Sequence, residues 1–291
     1  MKKLLYKILF GYIYLISLLP FWILHRISDF FYLLIYYVIG YRKKKVLENM
    51  RNCFPEKTEQ EIRKIRKQFY QHFADLLVES LKSASITQKV FQQRYKVKNW
   101  DKFSKILSTG KSVIILSAHT GNWEWVFALV HQIPCTTYAV YQKLTNPYMD
   151  DYVKHTRQRY EAVMVSTKEA FGRILESVEN KEQTVSWFAA DQACRPEKAT
   201  WMSFLNQDTT FHSGYESLAK QTGQAVYYLD IKKIKRSHYE LDFIPISENP
   251  KEETDGIIVE RFAQLTEKRI QANPTHWLWS HDRWKHKRQQ N

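Results

Sequence analysis

Val113-Ile114-Ile115-Leu116-Ser117-Ala118-His119-Thr120-Gly121-Asn122-Trp123-Glu124 joins an apolar run to a polar turn, and that order decides the fold. The first four residues are apolar and mostly β-branched, a run too short for a helix and suited to a buried strand. A second apolar stretch, 125–130, begins just after the turn and predicts a helix packed on the sheet. His119 therefore stands where a strand ends and a helix begins, with the carboxylate of Glu124 five positions on. In an open α/β sheet, the crevice at the carboxyl ends of the strands is where ligands bind. An imidazole accepts a proton near neutral pH, and a neighbouring carboxylate orients it and stabilises its charged form. His119 and Glu124 are thus candidates for general-base work on a hydroxyl. The Gly121-Asn122 turn lets backbone amides approach a substrate, which makes Asn122 a candidate binding residue. Free amides at the start of the following helix would hold a developing oxyanion.

Outward from this block, strand-like and helix-like pieces alternate. Strands are expected at 113–117, 136–141, 162–165, 185–189, 225–231 and 239–245, and helices at 123–131, 148–160, 169–180, 214–221 and 257–272. Alternation of this kind predicts an α/β fold, a mixed, mainly parallel sheet flanked by helices, with the last two strands close enough to pair antiparallel. Upstream, a short helix over 46–51 stops at Cys53-Phe54-Pro55. Thr58 and Glu61 have capping-box spacing. Ile62, Ile65, Phe69, Phe73 and Leu76 then recur at three and four residues, an amphipathic helix with Arg63, Lys64, Arg66 and Lys67 on its outer face.

The N-terminus differs from the rest. Residues 4–24 are mostly apolar, interrupted by Lys7 and Pro20, and 30–41 resume the pattern with many aromatics before Arg42, Lys43, Lys44 and Lys45. The first stretch is long enough to span a bilayer, and the second has about half of the ~20 residues a crossing needs. Tyr and Trp suit the interfacial belt, and the basic cluster holds the rest of the chain on the cytoplasmic side. No small-residue cleavage site comes after the apolar region. The expected organisation is a membrane anchor over 1–45, either one crossing or a hairpin in one leaflet, a helical collar over 46–111, and an α/β domain over 112–291.

The chain carries 44 Lys and Arg against 30 Asp and Glu, a net charge of +14, which points to anionic partners: nucleic acid, acidic lipid or an acidic protein. Its 9 Trp, 18 Tyr and 16 Phe exclude a disordered chain. Three cysteines without CxxC spacing supply neither a disulfide framework nor a zinc site and fit a reducing compartment. Gly110-Lys111-Ser112 is no P-loop, because Lys105 stands where that loop needs glycine and a strand comes next. There is no G-x-S-x-G elbow and no His-Glu-x-x-His motif. His276, His281 and His286 recur every five residues, a period no helical face has, and read as surface positions rather than ligands. No metal and no cofactor are expected.

The block His119 to Glu124 resembles the His-x4-Asp/Glu motif of membrane acyltransferases. The whole chain resembles the bacterial lipid A biosynthesis (late, lauroyl/myristoyl-type) acyltransferases. The resemblance rests on Val46-Leu47-Glu48-Asn49-Met50 leading to Cys53-Phe54-Pro55-Glu56, on Ser117 to Glu124, and on Val140-Tyr141 with Asn146-Pro147. It continues through Arg157 and Arg159, Asp191-Gln192 with Pro196, and the closing Trp279-x-His281-x-Arg283-Trp284-Lys285. Arg195 and Asn206 depart from it, since both stand where the family carries glycine; Asn206 tolerates a left-handed backbone.

The resemblance implies a glycerolipid-acyltransferase-like fold and transfer of an acyl group from an acyl carrier protein thioester to a hydroxyl of a lipid A precursor, at the cytoplasmic side of the bacterial inner membrane. His119 would be the general base, with Glu124 fixing its tautomer. Arg159 and Arg157 would bind a phosphate or the oxyanion, and Asp191 would organise those arginines or cap a helix. Lys232, Lys233, Lys235, Arg236 and the tail from Arg283 to Arg288 are available to dock the acidic carrier protein or anionic lipid. Trp277, Trp279 and Trp284 are candidates for the interface, with core the competing place for the first two. No nucleic-acid partner is implied. Two rivals stand beside this reading: acylation of a lysophospholipid, aminolipid or glycolipid, and a non-catalytic basic membrane-associated binding protein.

Overall fold

The structure, a computed structural model, describes residues 2–288; residue 1 and residues 289–291, at the ends of the expected anchor and α/β segments, lie outside the description. An N-terminal layer contains α1 (Lys2–Leu18) and α2 (Phe21–Leu33), the latter continuing as a π-helical turn, Leu34–Ile39. The collar contains α3 (Lys43–Cys53), α4 (Glu59–Lys82) and α5 (Gln88–Arg94). Then come β1 (Tyr95–Val97), α6 (Trp100–Ser108), β2 (Val113–Ser117), a 3-10 segment (Trp123–Gln132) and β3 (Thr136–Tyr141). Next are α7 (Pro147–Gln158), β4 (Val163–Ser166), α8 (Ala170–Glu179) and β5 (Thr184–Ala189). The chain closes with β6 (Ala199–Phe204), β7 (Gln207–His212), α9 (Gly214–Thr222), β8 (Ala225–Lys235), β9 (His238–Ser247) and α10 (Ile257–Ala272).

Seven strands form one sheet in the order β1-β9-β8-β2-β5-β3-β4. Every neighbouring pair is parallel except β8 with β9, so the expected mixed, mainly parallel sheet is present. All five residues of β2 are buried, which is why its first four are all apolar rather than alternating with polar ones. Ile114 and Leu116 enter one core with Tyr138, Phe69 and Phe262, while Val113 and Ile115 enter the other with Trp125, Phe103 and Leu241. The register of β2 on β5 matters most for the site: Ser117 lies opposite Ala189, so the residues two positions beyond each, His119 and Asp191, leave the sheet side by side.

Three features depart from expectation. The segment after the turn is helical but 3-10 in type. A two-stranded sheet, β6 with β7, is added to the expected elements; Leu205 and Asn206 turn it with φ of 50° and 63°, the left-handed pair that a two-residue hairpin requires. One strand of the main sheet, β1, comes from within 46–111 and pairs with β9.

The N-terminal layer also breaks differently. Proline lacks an N–H and disfavours helix in the residue before it, so Pro20 ends α1 and the apolar run does not continue to residue 24 as one helix. The longer continuous helix is Phe21–Ile39, whose 19 residues span about 28 Å at 1.5 Å per residue. Leu24, Ser28 and Tyr36 are buried, whereas Trp22, Phe30, Leu33, Tyr37, Val38 and Ile39 are exposed. Leu4, Leu5, Ile8, Tyr12 and Leu15 of α1 are exposed as well. Contiguous apolar surface of this kind marks a membrane or partner contact.

The capping box forms as the spacing predicts: Glu61 N donates to Thr58 Oγ1 at 3.3 Å, and Thr58 N donates to Glu61 Oε2 at 2.8 Å. Beyond its apolar stripe, α4 buries a second, polar stripe of His72, Asp75, Glu79 and Lys82. Replacing Ile8 and Leu15 together with aspartate should move the protein from the vesicle pellet to the supernatant in a sedimentation assay, with its near-ultraviolet circular dichroism unchanged. Full retention in the pellet would show that another surface holds the membrane.

Candidate active site

The site is built where β2 and β5 end. His119 Nδ1 lies 2.6 Å from Asp191 Oδ1, the backbone N–H of His119 donates to Asp191 Oδ2 at 3.0 Å, and Trp277 Nε1 donates to the same oxygen at 2.7 Å. Asp191 is almost wholly buried (2% exposed), and His119 keeps a 15% opening. Burial alone would raise the Asp191 carboxyl, but the imidazole and the indole N–H outweigh it and hold the group well below the ordinary carboxylate range. Burial likewise disfavours a charged His119, yet the attraction and hydrogen bond of Asp191, helped by Glu124 and opposed by Arg157, lift its pKa above the ordinary 6.5. With an ionised carboxylate on Nδ1, that nitrogen carries the proton and donates. The lone pair of Nε2 is then free to accept, and Gln192 Nε2 stands 3.3 Å from it. His119 also meets Trp123 edge to face, with ring centroids 5.2 Å apart.

The roles expected of the other candidates change. Glu124 does not touch the imidazole; it receives Arg157 Nη2 on both oxygens, at 3.2 and 3.0 Å. Asp191, expected to organise the arginines, is the partner of His119 instead. The reason is register: five residues of turn carry Glu124 past the imidazole toward α7, whereas parallel pairing of β2 and β5 sets Asp191 beside it. Arg157 lies over the ring of Phe127, 4.6 Å from its centroid. Arg159 donates to the carbonyls of Ser83 and Ile86 at 3.1 and 3.2 Å, so its guanidinium ties α7 to the end of α4 rather than standing free for a phosphate.

Three amides in and after the turn are engaged. Gly121 N donates to His276 O at 2.9 Å, and Asn122 Oδ1 accepts from the amides of Glu124 and Trp125, both at 3.1 Å. Asn122 is therefore the cap of the 3-10 segment, with no side-chain atom left for substrate: its Nδ2 donates to Glu79 Oε2 at 2.6 Å. Gly121 is required where it stands, because its φ is +59° and an added Cβ would lie 2.7 Å from Ile231 Cγ2.

His276 and His281, expected at the surface, are both partly enclosed; burial lowers them to about 3 and about 4. His281 Nε2 accepts from Ala193 N at 3.3 Å, just beyond Gln192. Arg283, counted among the docking residues, is wholly buried (0% exposed), donates to Thr209 Oγ1 at 2.6 Å and packs over Phe211. Lys233 and Arg236 are likewise engaged, at 3.0 and 2.7 Å from the two oxygens of Asp75. Trp277 and Trp279 belong to the core rather than an interface. Among the described residues, no group of three His, Cys, Asp or Glu side chains is placed to hold a metal ion.

The sequence matches the family described as "Bacterial lipid A biosynthesis acyltransferase" over residues 2–286. The chain belongs to this acyltransferase family. Among solved structures, the crystal structure of the 1-acyl-sn-glycerophosphate (LPA) acyltransferase, PlsC, from Thermotoga maritima is similar at 12% identity and a TM-score of 0.38, covering 88% of this chain and 97% of that one. No curated protein matches the sequence.

The acyltransferase site thus contains contacts that sequence reading missed: Trp277 on Asp191, Gln192 on His119, and Glu79 behind Asn122. Trp277 and Gln192 stand in or beside motifs already singled out, but Glu79 lies beyond Leu76, the last residue of the apolar stripe that marks its helix in the sequence. A general base acts in its neutral form, so if His119 fills that role its raised pKa puts the acid limb of kcat/KM above pH 6.5. Asp191→Asn should move that limb to lower pH and cut kcat by about 10²–10⁴-fold. Glu124→Gln should shift the limb the same way by less. A pH–rate series on the three proteins measures both shifts.

Proposed function

We propose that this chain transfers a fatty acyl group from an acyl carrier protein thioester to a hydroxyl on the acyl chain of a lipid A precursor, forming an acyloxyacyl ester. The observation that carries the reading is the His119–Asp191 pair, a base nitrogen open at Nε2 and a buried carboxylate on Nδ1. The family supplies the acceptor class. An aliphatic hydroxyl is almost fully protonated at neutral pH and attacks a thioester poorly. His119 Nε2 takes its proton as the oxygen adds to the thioester carbonyl, and Asp191 stabilises the imidazolium that forms. Collapse of the tetrahedral intermediate breaks the C–S bond, and the imidazolium returns its proton to the departing thiolate. No acyl-enzyme is needed. Gln192 hydrogen-bonds Nε2 at rest, and the incoming hydroxyl takes its place.

The N-terminal layer fits a surface that lies in one leaflet rather than a crossing. Along α2, His25 meets Ser237, Ser28 donates to Asp75 and Asp29 pairs with Arg236, so this side of the helix faces α4 and the turn between β8 and β9. A helix standing across the bilayer could not keep those partners in hydrocarbon, where each unsatisfied polar group costs several kcal/mol. The apolar face of the same layer meets lipid, and the domain rests on the cytoplasmic side of the inner membrane.

The test is acyl transfer from a mixture of acyl carrier protein thioesters to a tetra-acylated lipid A precursor, read by mass, with membranes carrying wild type or His119→Ala. A gain of one acyl group with wild type alone is expected. No gain with either folded protein would redirect the search to a lysophospholipid or glycolipid acceptor. Equal gain with both would remove His119 as the base.

A further inference from the structure

The polar stripe of α4 joins the membrane-facing layer to the turn that carries His119. His72, Asp75, Glu79 and Lys82 are spaced three, four and three apart, one face of the helix, and all are buried. Buried polar groups on this scale need partners, and these find them on two sides. Toward α1 and α2, Lys82 Nζ donates to the carbonyls of Ser17 and Leu19 at 2.6 and 3.0 Å, where the chain breaks before Pro20. Asp75 Oδ1 accepts from Ser28 Oγ at 2.7 Å. Toward the turn, His72 Nε2 lies 3.1 Å from Gly121 O, and Glu79 Oε2 accepts from Asn122 Nδ2.

Two continuous relays result. In the first, His25 Nε2 of α2 is 2.7 Å from Ser237 Oγ, which donates to Glu79 Oε1 at 2.8 Å, and Glu79 holds Asn122. In the second, Ser28 donates to Asp75, Lys233 Nζ bridges Asp75 and His72 Nδ1 at 3.0 and 3.1 Å, and His72 holds Gly121. The tautomer of His72 is set by its neighbours. An ammonium can only donate to Nδ1, so Nε2 carries the proton and donates to the Gly121 carbonyl. Around the second relay the seat of α2 is not packed solid: a cavity of about 420 Å³ lies there, lined by Asp29, Tyr32, His72, Lys233, Arg236 and His276. Hydrogen bonds and ion pairs set the position of α2 at that point, and they are free to rearrange in a way that a close-packed contact is not.

We infer that His72 and Glu79 are positioning residues for His119, and that the seating of α2 on the polar stripe of α4 sets the geometry of the catalytic turn, so that turnover depends on how the N-terminal layer rests in the lipid. This rests on the reading of His119 as the base. None of these side chains touches substrate; they act through Gly121 and Asn122.

The experiment uses the full chain in vesicles of phosphatidylethanolamine and phosphatidylglycerol. Ser237→Ala cuts the first relay far from the chemistry, and Ser28→Ala combined with Arg236→Ala cuts the second, which Arg236 also joins to α2 through Asp29 and the His25 carbonyl; Ser28→Thr with Arg236 kept retains the hydroxyl. Each alanine variant should lose between about 10- and 100-fold in kcat with KM unchanged, as expected for a displaced base, and Ser28→Thr should keep the wild-type rate. His72→Gln, which keeps an N–H donor, should retain more of kcat than His72→Leu. Wild-type kcat in both alanine variants, with His119→Ala inactive, would overturn the coupling while leaving the base in place. Activity in His119→Ala would instead overturn the reading on which it rests. Should an alanine variant lose its unfolding transition, the comparison of His72→Gln with His72→Leu decides: equal kcat in the two overturns the proposal.

Discussion

The hydrogen bond between His119 Nδ1 and Asp191 Oδ1 is the constraint on which the site depends. It spans 72 residues of sequence, and only parallel pairing of β2 with β5 in one register brings its ends together. A slip of β5 by one residue against β2 would send Asp191 to the other face of the sheet, away from His119. The buried apolar alternation of β2, with Ile114 and Leu116 in one core and Val113 and Ile115 in the other, prevents that slip. Core packing thus determines proton chemistry. The fixed carboxylate selects the tautomer of the imidazole, and the tautomer leaves the Nε2 lone pair open to accept a proton.

Much of this is legible in the residues and some is not. Strands over 113–117 and 136–141 and the helix over 257–272 coincide with the elements formed, because buried elements carry uninterrupted apolar signals. β8 runs on to Lys235, past the expected end at residue 231, because its last residues are polar and half out in solvent. The hairpin β6–β7 carries no strong turn signal at Leu205. His119 is legible from its place after a buried strand. Its partner is not, because nearness in sequence suggests Glu124, whereas sheet register, a long-range property, supplies Asp191. The polar stripe of α4 is invisible for a related reason: His72, Asp75, Glu79 and Lys82 on an amphipathic helix look solvated until two neighbours cover them.

The excess of positive charge is likewise not one undivided docking surface. Arg283 is sealed in the core, Arg159 is spent on two carbonyls, and Lys233 and Arg236 are committed to Asp75. These four groups shape the protein around the site. The exposed part of the excess, including Arg63, Lys64 and Lys67 of α4, remains for an anionic lipid surface or an acidic carrier protein.

Charge balance in the site explains why Glu124 matters without touching the imidazole. Neutral His119 has ionised Asp191 on Nδ1, and Glu124 is matched by Arg157. When His119 takes a proton, Asp191 becomes its counter-ion and the site holds two matched pairs. Glu124 raises and Arg157 lowers the His119 pKa, the carboxylate having the larger effect of the two and both having less than Asp191. Removing Arg157 would therefore raise the His119 pKa and removing Glu124 would lower it, each by less than the loss of Asp191. The five-residue spacing from His119 to Glu124 thus keeps the ion pair close enough to be felt at the imidazole without touching it.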